Sequence, residues 1–470
     1  MVIEATRTLF RSNLNHKVYI QDVASKVSLK STCEVSMAPE KRLCLRRPLS
    51  WPTLSISFVL LALPAWTQTY KILYAFDDQS KLRAGSTIVQ DKMGNIYGAS
   101  WDSPRMCSSG PCGAIYKISP TGKEGALYEF KGRPDGFYPV GIAIDANGTL
   151  YGTTLEGGTS AFQYCNYGCG TVFSLTASGK ETVLHSFQGS PPLRTFHGPT
   201  NDGILPQSGV VVYPGGGVLY GTTPLGGDYG SYGLPGDGTI YQITDHFVTI
   251  LHNFTEGLDG GLPSAGLLLV GATLYGTAQF GGFGPCVTTY GPGCGTVFKY
   301  DANGLTTLYQ FQDGADGASP AGTLITDNAG NLYGTTVLGG DLNCNLTFGI
   351  PPGCGVVFKV TPSGQEITLY TFTGSTDGTW PSSALVMDAA GNLYGTAYFG
   401  GDLKCNSGPY AMGCGTIFKI DLSGNFSVVH TFKGADGAFP MAIIAGDGKL
   451  LGVTNAGGPA NRGVVYELTP

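Results

Sequence analysis

The sequence predicts an all-β fold, a seven-bladed β-propeller of four-stranded antiparallel blades. Three observations predict it. A six-residue phrase recurs seven times, each recurrence carries strand signals in one fixed order, and a strand signal at 70–76 completes the last repeat and closes the ring.

The phrase is Asn95-Ile-Tyr-Gly-Ala-Ser, followed by Thr149-Leu-Tyr-Gly-Thr-Thr, Val218-Leu-Tyr-Gly-Thr-Thr, Thr273-Leu-Tyr-Gly-Thr-Ala, Asn331-Leu-Tyr-Gly-Thr-Thr, Asn392-Leu-Tyr-Gly-Thr-Ala and Lys449-Leu-Leu-Gly-Val-Thr. Its third residue falls at 97, 151, 220, 275, 333, 394 and 451, in steps of 54, 69, 55, 58, 61 and 57 residues. Propeller blades repeat at roughly 40–50 residues, and long loops account for the excess. The 73 glycines show no Gly-X-Y period and stand beside 25 Tyr and 23 Phe. Disordered chains lack such aromatics, so glycine here marks tight turns between many short strands.

In the sixth repeat the strand signals lie at 384–388, 392–397, 415–420 and 426–432, rich in β-branched and aromatic residues. The first two are joined by Asp388-Ala-Ala-Gly-Asn392, like Asp327-Asn-Ala-Gly-Asn331 and Asp145-Ala-Asn-Gly148. Glycine supplies a positive φ there and the aspartate caps the turn, a reading preferred over a calcium ligand. The seventh repeat has strands at 441–445, 449–454 and 463–468 and lacks a fourth. Tyr70-Lys-Ile-Leu-Tyr-Ala-Phe76 carries the fourth-strand pattern Leu-Tyr-x-Phe of Leu308–Phe311 and Leu369–Phe372, and so fills the gap. Closure pairs edges that would otherwise invite aggregation, whereas an open solenoid needs dissimilar capping repeats.

Ahead of the repeats, Lys41-Arg-Leu-Cys-Leu-Arg-Arg47 precedes an apolar run at 54–66. A membrane span needs about 20 apolar residues, and the core of a signal peptide about 7–15. The expected organisation is an upstream extension or mis-assigned start at 1–36, a signal peptide at 37–67 and one propeller domain at 68–470. Met37 is the expected true start, and cleavage is expected between Ala65 and Gln68. Residues 1–67 hold 9 Lys/Arg and 4 Asp/Glu, which leaves the remainder with 18 basic and 29 acidic groups and a net charge of −11. That balance argues against nucleic acid and anionic membranes as partners. A monomer, secreted, periplasmic or on the cell surface, with no stable membrane span after cleavage, is expected.

Two cysteines, Cys33 and Cys44, precede the apolar run. The other ten form five local pairs, Cys107/Cys112, Cys165/Cys169, Cys286/Cys294, Cys344/Cys354 and Cys405/Cys414, each between the second and third strands of its repeat. Repeats three and seven lack both members together. Loss in pairs is how disulfides behave in an oxidising compartment. Zinc needs about four ligands, and these loops contain no histidine.

Catalytic signals are weak. His185, His252 and His430 stand where other repeats have the tyrosine of Leu-Tyr-x-Phe, which gives them a packing role, and His197 and His246 have no visible partner. There is no Gly-x-Ser-x-Gly elbow, HExxH or phosphate loop. Quinone-dependent propellers pack their blades with recurring tryptophans, and beyond the signal only Trp101 and Trp380 occur. No cofactor, metal or catalytic residue is assigned.

A ligand is expected on the face where the loop between strands two and three emerges beside the connector to the next blade. The connectors carry Asp-Gly-x-x-Pro, with Asp135, Asp202, Asp259, Asp316, Asp377 and Asp436. The same loops carry Tyr164, Tyr167, Tyr229, Tyr232, Phe283, Tyr290, Trp380 and Tyr410. Aromatics and aspartates on rigid loops suit sugar stacking and hydroxyl binding. In the competing reading the aromatics wedge between blades and the aspartates cap turns.

Leu-Tyr-Gly-Thr-Thr, the following pairs Gly157-Gly158, Gly226-Gly227 and Gly339-Gly340, Gly-Cys-Gly-Thr-Val-Phe at 168–173 and 293–298, and Asp-Gly-x-x-Pro together resemble the bacterial choice-of-anchor GloVer-containing tandem-repeat proteins. The resemblance covers residues 70–470 and implies an exported bacterial protein of undetermined activity. Members usually carry a C-terminal surface anchor, whereas this sequence ends directly after its last strand. The glycine pairs also resemble kelch propellers, without the tryptophan expected later in each kelch blade. Two function classes follow. The preferred one is an exported non-catalytic binding scaffold for polysaccharide or a cell-surface partner. The alternative is a secreted polysaccharide lyase or hydrolase using loop-face aspartates, for which carboxylates about 5–10 Å apart would be needed.

Overall fold

The computed structural model describes residues 68–107, 110–160, 165–189, 202–228, 236–288, 291–344, 353–405 and 412–470. Residues 1–36 and the expected signal peptide lie outside them, as do Tyr164, His197, Tyr229, Tyr232, Tyr290 and Tyr410. No helix occurs among the described residues, so none is long and apolar enough to cross a membrane.

Seven four-stranded antiparallel sheets form the blades of a ring. Blade 1 runs Ile88–Gln90, Ile96–Ser100, Ala114–Ile118, Glu124–Glu129, and blade 2 runs Phe137–Ile144, Leu150–Glu156, Thr171–Leu175, Glu181–Ser186. Blade 3 is Val211–Val212, Val218–Thr223, Thr239–Thr244, Phe247–Asn253, and blade 4 is Leu268–Val270, Thr273–Ala278, Thr296–Asp301, Gly304–Gln310. Blade 5 is Ala318–Thr326, Leu332–Leu338, Val356–Val360, Glu366–Thr371, and blade 6 is Val386–Met387, Leu393–Ala397, Thr416–Ile420, Phe426–Thr431. Blade 7 is composite. Ala438–Gly446, Lys449–Ala456 and Val464–Thr469 are completed by the N-terminal strand Thr69–Ala75, which pairs antiparallel with Val464–Thr469. The expected closure by 70–76 is therefore what the fold contains. The first strand of blade 1 lies beside the first strands of blades 2 and 7, which places first strands at the hub.

Leu-Tyr-x-Phe acquires a physical meaning position by position. In all seven blades the pairing of third and fourth strands slips by one residue at the same place, between Val357 and Phe358 in blade 5 for example. The unpaired residue is the motif's leucine, or valine in blade 6: Leu73, Leu127, Leu184, Leu251, Leu308, Leu369 and Val429. A bulge bends its strand and re-aims the side chain beside it. The re-aimed residue is the Tyr or His. The motif's phenylalanine is fully buried in every blade.

That phenylalanine holds the ring together. It packs edge-on against the third-strand aromatic of the next blade, through the pairs Phe130–Phe173, Phe187–Tyr241, Phe254–Phe298, Phe311–Phe358, Phe372–Phe418, Phe432–Tyr466 and Phe76–Tyr116, with centroids 5.0–5.5 Å apart. Such contacts contribute roughly 0.5–1.5 kcal/mol each beyond their area. The core is accordingly divided into seven clusters, each shared by neighbouring blades, as where Phe311 of blade 4 joins Leu332 and Phe358 of blade 5.

Candidate functional site

The loop face is built from two segments per blade, the loop after the second strand and the connector to the next blade. They are fastened by backbone hydrogen bonds that repeat around the ring. The N–H of the buried phenylalanine donates to the carbonyl of the glycine opening the third strand, as in Phe311 to Gly295 at 3.0 Å and Phe76 to Gly463 at 3.1 Å. The residue before the connector proline donates to the carbonyl just ahead of that glycine, as in Ser319 to Cys294 at 2.8 Å and Phe439 to Cys414 at 2.9 Å. To reach it, Tyr138, Leu205, Leu262, Ser319, Trp380 and Phe439 all adopt left-handed backbone, with φ between 52° and 59°. Non-glycine residues rarely do so, and six at one repeated position mark a conformation that the surrounding bonds over-determine. The following proline then seats on the glycine. A Cβ at Gly295 would fall 2.4 Å from Pro320 Cδ, and this position tolerates only glycine.

All five cysteine pairs, Cys107–Cys112, Cys165–Cys169, Cys286–Cys294, Cys344–Cys354 and Cys405–Cys414, are disulfide-bonded, with Cα atoms 5.0–5.7 Å apart. Cys112, Cys169, Cys354 and Cys414 are fully buried, and Cys165, Cys286 and Cys294 are nearly so. These sulfurs lie beneath the loop face and present nothing to a ligand. The reason is the fastening just described: the carbonyls of Cys112 and Cys169 accept from Tyr138 at 3.1 Å and Leu205 at 2.8 Å, which draws the next connector over the bridge. A Cβ at Gly374 would lie 2.4 Å from Cys344 Sγ and 2.6 Å from Cys354 Sγ, so the bridge fills the space that a side chain would need. In blade 3 Asp237, fully buried, stands in place of the second cysteine. In blade 7 Arg462 stands there and pairs with Asp78 at 2.8 Å and with Asp102 of blade 1 at 3.1 Å.

The six candidate aspartates share one arrangement. Each accepts a hydrogen bond from the re-aimed Tyr or His of the strand before it: Tyr128–Asp135 2.9 Å, His185–Asp202 2.8 Å, His252–Asp259 3.0 Å, Tyr309–Asp316 2.9 Å, Tyr370–Asp377 3.0 Å and His430–Asp436 3.0 Å. Each also accepts from backbone amides of its own connector, such as Lys131, Gln188, Thr255, Gln312, Thr373 and Lys433. Histidine and tyrosine are thus interchangeable here because both donate to the same carboxylate. Burial works to raise the Asp259 and Asp436 carboxyls, and bonds from His252 with Thr255, and from His430 with Lys433, outweigh it and hold them below the ordinary range. At Asp135 burial wins over the Tyr128 and Lys131 bonds, and the carboxyl is raised. The strand-joining aspartates are held similarly: Asp327 and Asp388 each accept from two backbone amides, an asparagine side chain and a tyrosine hydroxyl.

The described candidate aromatics divide. Tyr167 and Phe283 stand exposed, by 42% and 78%. Trp380 is half-buried against Phe399, with centroids 5.6 Å apart. Sequence reading did not single out Trp101, which is 49% exposed directly after the second strand of blade 1 and leans on Tyr138 at 6.1 Å. Its signal was available, since Trp101 and Tyr398 occupy the same place after the repeated phrase. Tyr398 stacks on Phe439 at 5.2 Å.

Solved structures of the same architecture include virginiamycin B lyase from Staphylococcus aureus, 13% identical, covering 86% of this chain and 99% of that one with a TM-score of 0.51. A catalytically inactive form of that enzyme with quinupristin gives 14%, the same coverage and 0.52. A gluconolactonase from Xanthomonas campestris is 14% identical over 76% of this chain and 89% of its own, with a TM-score of 0.39. At these identities the likeness to the lyase is one of fold. No curated protein matches. The repeat described as Gloeobacter/Verrucomicrobia repeat matches residues 59–290, 166–350 and 345–470. With its recurring Leu-Tyr-Gly phrase, its bulged fourth strands and this match along almost its whole length, the chain belongs to the Gloeobacter/Verrucomicrobia repeat family.

Proposed function

We propose that the protein is a binding scaffold outside the cytoplasm whose loop face takes a carbohydrate. The observation that carries the reading is the set of exposed aromatics, Trp101, Tyr167 and Phe283, on loops fastened by disulfides and connector bonds. Rigid aromatic surface costs little entropy to present and stacks on the apolar face of a sugar ring. Five disulfides support an extracellular or cell-surface location. The aspartates weigh against the hydrolytic alternative, because each is engaged by its own connector and fourth strand.

A glycan array with protein comprising residues 68–470 tests the proposal. Trp101→Ala and Trp380→Ala are each expected to weaken a positive interaction roughly tenfold, since a ring contact of about 1.4 kcal/mol corresponds to that factor. An array without hits, or variants that lose melting temperature and keep their affinity, would return these aromatics to packing.

A further inference from the structure

The fourth strands meet across each blade seam at a second repeated position. The Tyr or His of one blade faces the residue that stands four places before the Tyr or His of the next blade. Tyr370 stacks on Phe426 with centroids 3.6 Å apart, and His430 stacks on Tyr70 at 3.9 Å. Tyr74 donates to Glu124 Oε2 at 3.3 Å, and Tyr128 lies 3.5 Å from Glu181 Oε2. Glu366 takes the same place beside Tyr309. By the same register Val248 and Leu305 answer His185 and His252. All three glutamates at this position therefore face a tyrosine, and none faces a histidine.

A tyrosine hydroxyl has one proton to give. At Tyr128 and Tyr309 that proton goes to Asp135 and Asp316, both at 2.9 Å. In the seam between blades 1 and 2, Asp135 Oδ1 and Glu181 Oε1 are both buried without a hydrogen-bond partner among the described residues, and Glu124 Oε1 is so between blades 7 and 1. Two ionised carboxylates around one hydroxyl in a half-dry seam repel each other, and a proton on one of them removes the repulsion.

We propose that the seams at Glu124, Glu181 and Glu366 are proton-operated fasteners, each fully closed with its glutamate as the neutral acid and loosened when that glutamate ionises. The ring then holds best in mildly acidic surroundings. The electrostatics agree with the geometry. Burial, with the Asp135 charge adding and the Tyr128 bond and Lys131 opposing, pushes Glu181 up to about 7. Burial, with Asp316 adding and the Thr368 bond opposing, pushes Glu366 up to about 7. Burial and Asp77 raise Glu124 against its bond from Tyr74, and Tyr116 lies close enough to feel its charge. For a carboxyl raised on folding, the stabilisation is complete below its ordinary value of 4.5 and is lost as pH climbs from there to about 7.

Thermal melts of protein comprising residues 68–470 between pH 5 and 8, for wild type and the triple variant Glu124→Gln, Glu181→Gln and Glu366→Gln, test this. The wild-type Tm is expected to fall across this range, and the variant, permanently uncharged, to stay higher at pH 8 by about 3 °C. A variant that keeps the wild-type slope, or is less stable than wild type at every pH, overturns the proposal. If the variant does not fold, hydrogen exchange on the wild type decides. After correction for intrinsic rates, the fourth strands of blades 1, 2, 4 and 5 and strand 69–75 are expected to open several-fold more at pH 7.5 than at pH 5, unlike those of blades 3 and 6. A uniform change in all seven fourth strands would also overturn it.

Discussion

The seam between blades 4 and 5 and the seam between blades 7 and 1 perform the same task with different parts. Both use the same backbone bond, Phe311 to Gly295 in one and Phe76 to Gly463 in the other, and the same ring contact, Phe311–Phe358 and Phe76–Tyr116. Around that frame, blades 4 and 5 add the Cys286–Cys294 disulfide, the Tyr309–Asp316 bond and Pro320 seated on Gly295. Among the described residues the closing seam has none of these. Ala84 replaces the proline and donates to the Arg462 carbonyl at 3.1 Å, and Arg462 with Arg83 gathers Asp78 and Asp102. The frame belongs to the repeat, while the fasteners differ with the seam. Between blades 4 and 5 a disulfide within the blade 4 loop backs the seam; where the N-terminal strand closes the ring, Arg462 crosses the seam ionically to Asp102.

The largest effect is expected from removing strand 69–75. Its loss exposes the open edge of Val464–Thr469 and frees fully buried Phe76, which follows the strand directly, from the pairing that seats it. The expected result is loss of the cooperative unfolding transition, an effect as large as a whole domain's stability of about 5–15 kcal/mol. A truncated protein that still melts cooperatively near the parent temperature would mean that six blades suffice. A smaller effect is expected from Cys344→Ala with Cys354→Ala. Opening that loop should cost roughly 2–3 kcal/mol by denaturant titration, without a dependence on salt. Exchange protection in Lys449–Ala456 should be unchanged, which would localise the loss to its own seam. The smallest effect belongs to Arg462→Met. Its partners are partly exposed, so about 1 kcal/mol or less is expected, shrinking further at high salt. If it costs more than the disulfide, the closing seam depends on its ions and the ordering above is reversed.

The repeat, the strands and the closure were legible because they are written within one repeat or between its matching copies. Leu-Tyr-x-Phe identified Tyr70–Phe76 as the missing strand without any contact being known. The first strand of blade 6 is shorter than expected, Val386–Met387 within 384–388. What stayed hidden runs between segments. The cysteine pairing could be read from paired loss, whereas the burial of Cys112 and Cys169 depends on connectors that lie over them only in the folded ring. The His185–Asp202 bond crosses 17 residues, whereas the Tyr128–Asp135 bond crosses seven, so no fixed spacing announces it. The same residues looked like ligand-face acids and packing histidines, because only a bulge at Leu184 turns one toward the other. The facing of Tyr128 by Glu181 depends on neighbouring blades being docked, and the left-handed turn at Trp380 on a carbonyl 26 residues earlier.

Closure by strand 69–75 also sets an order in time. Thr69 pairs with Thr469 and Tyr70 with Leu468, whereas every other blade pairs strands made close together. A chain growing from its N-terminus assembles six blades from material just synthesised. Its first strand waits through about 400 residues for a partner. Sealing therefore waits for the last repeat and is a single loop closure across all seven blades, slow for that reason. Until then each nascent molecule presents an unmatched strand at one end and a three-stranded sheet at the other, complementary to the same features of any neighbour. Crowded synthesis thus favours exchange of strand 69–75 between copies, and dilution favours the ring sealed by its own strand.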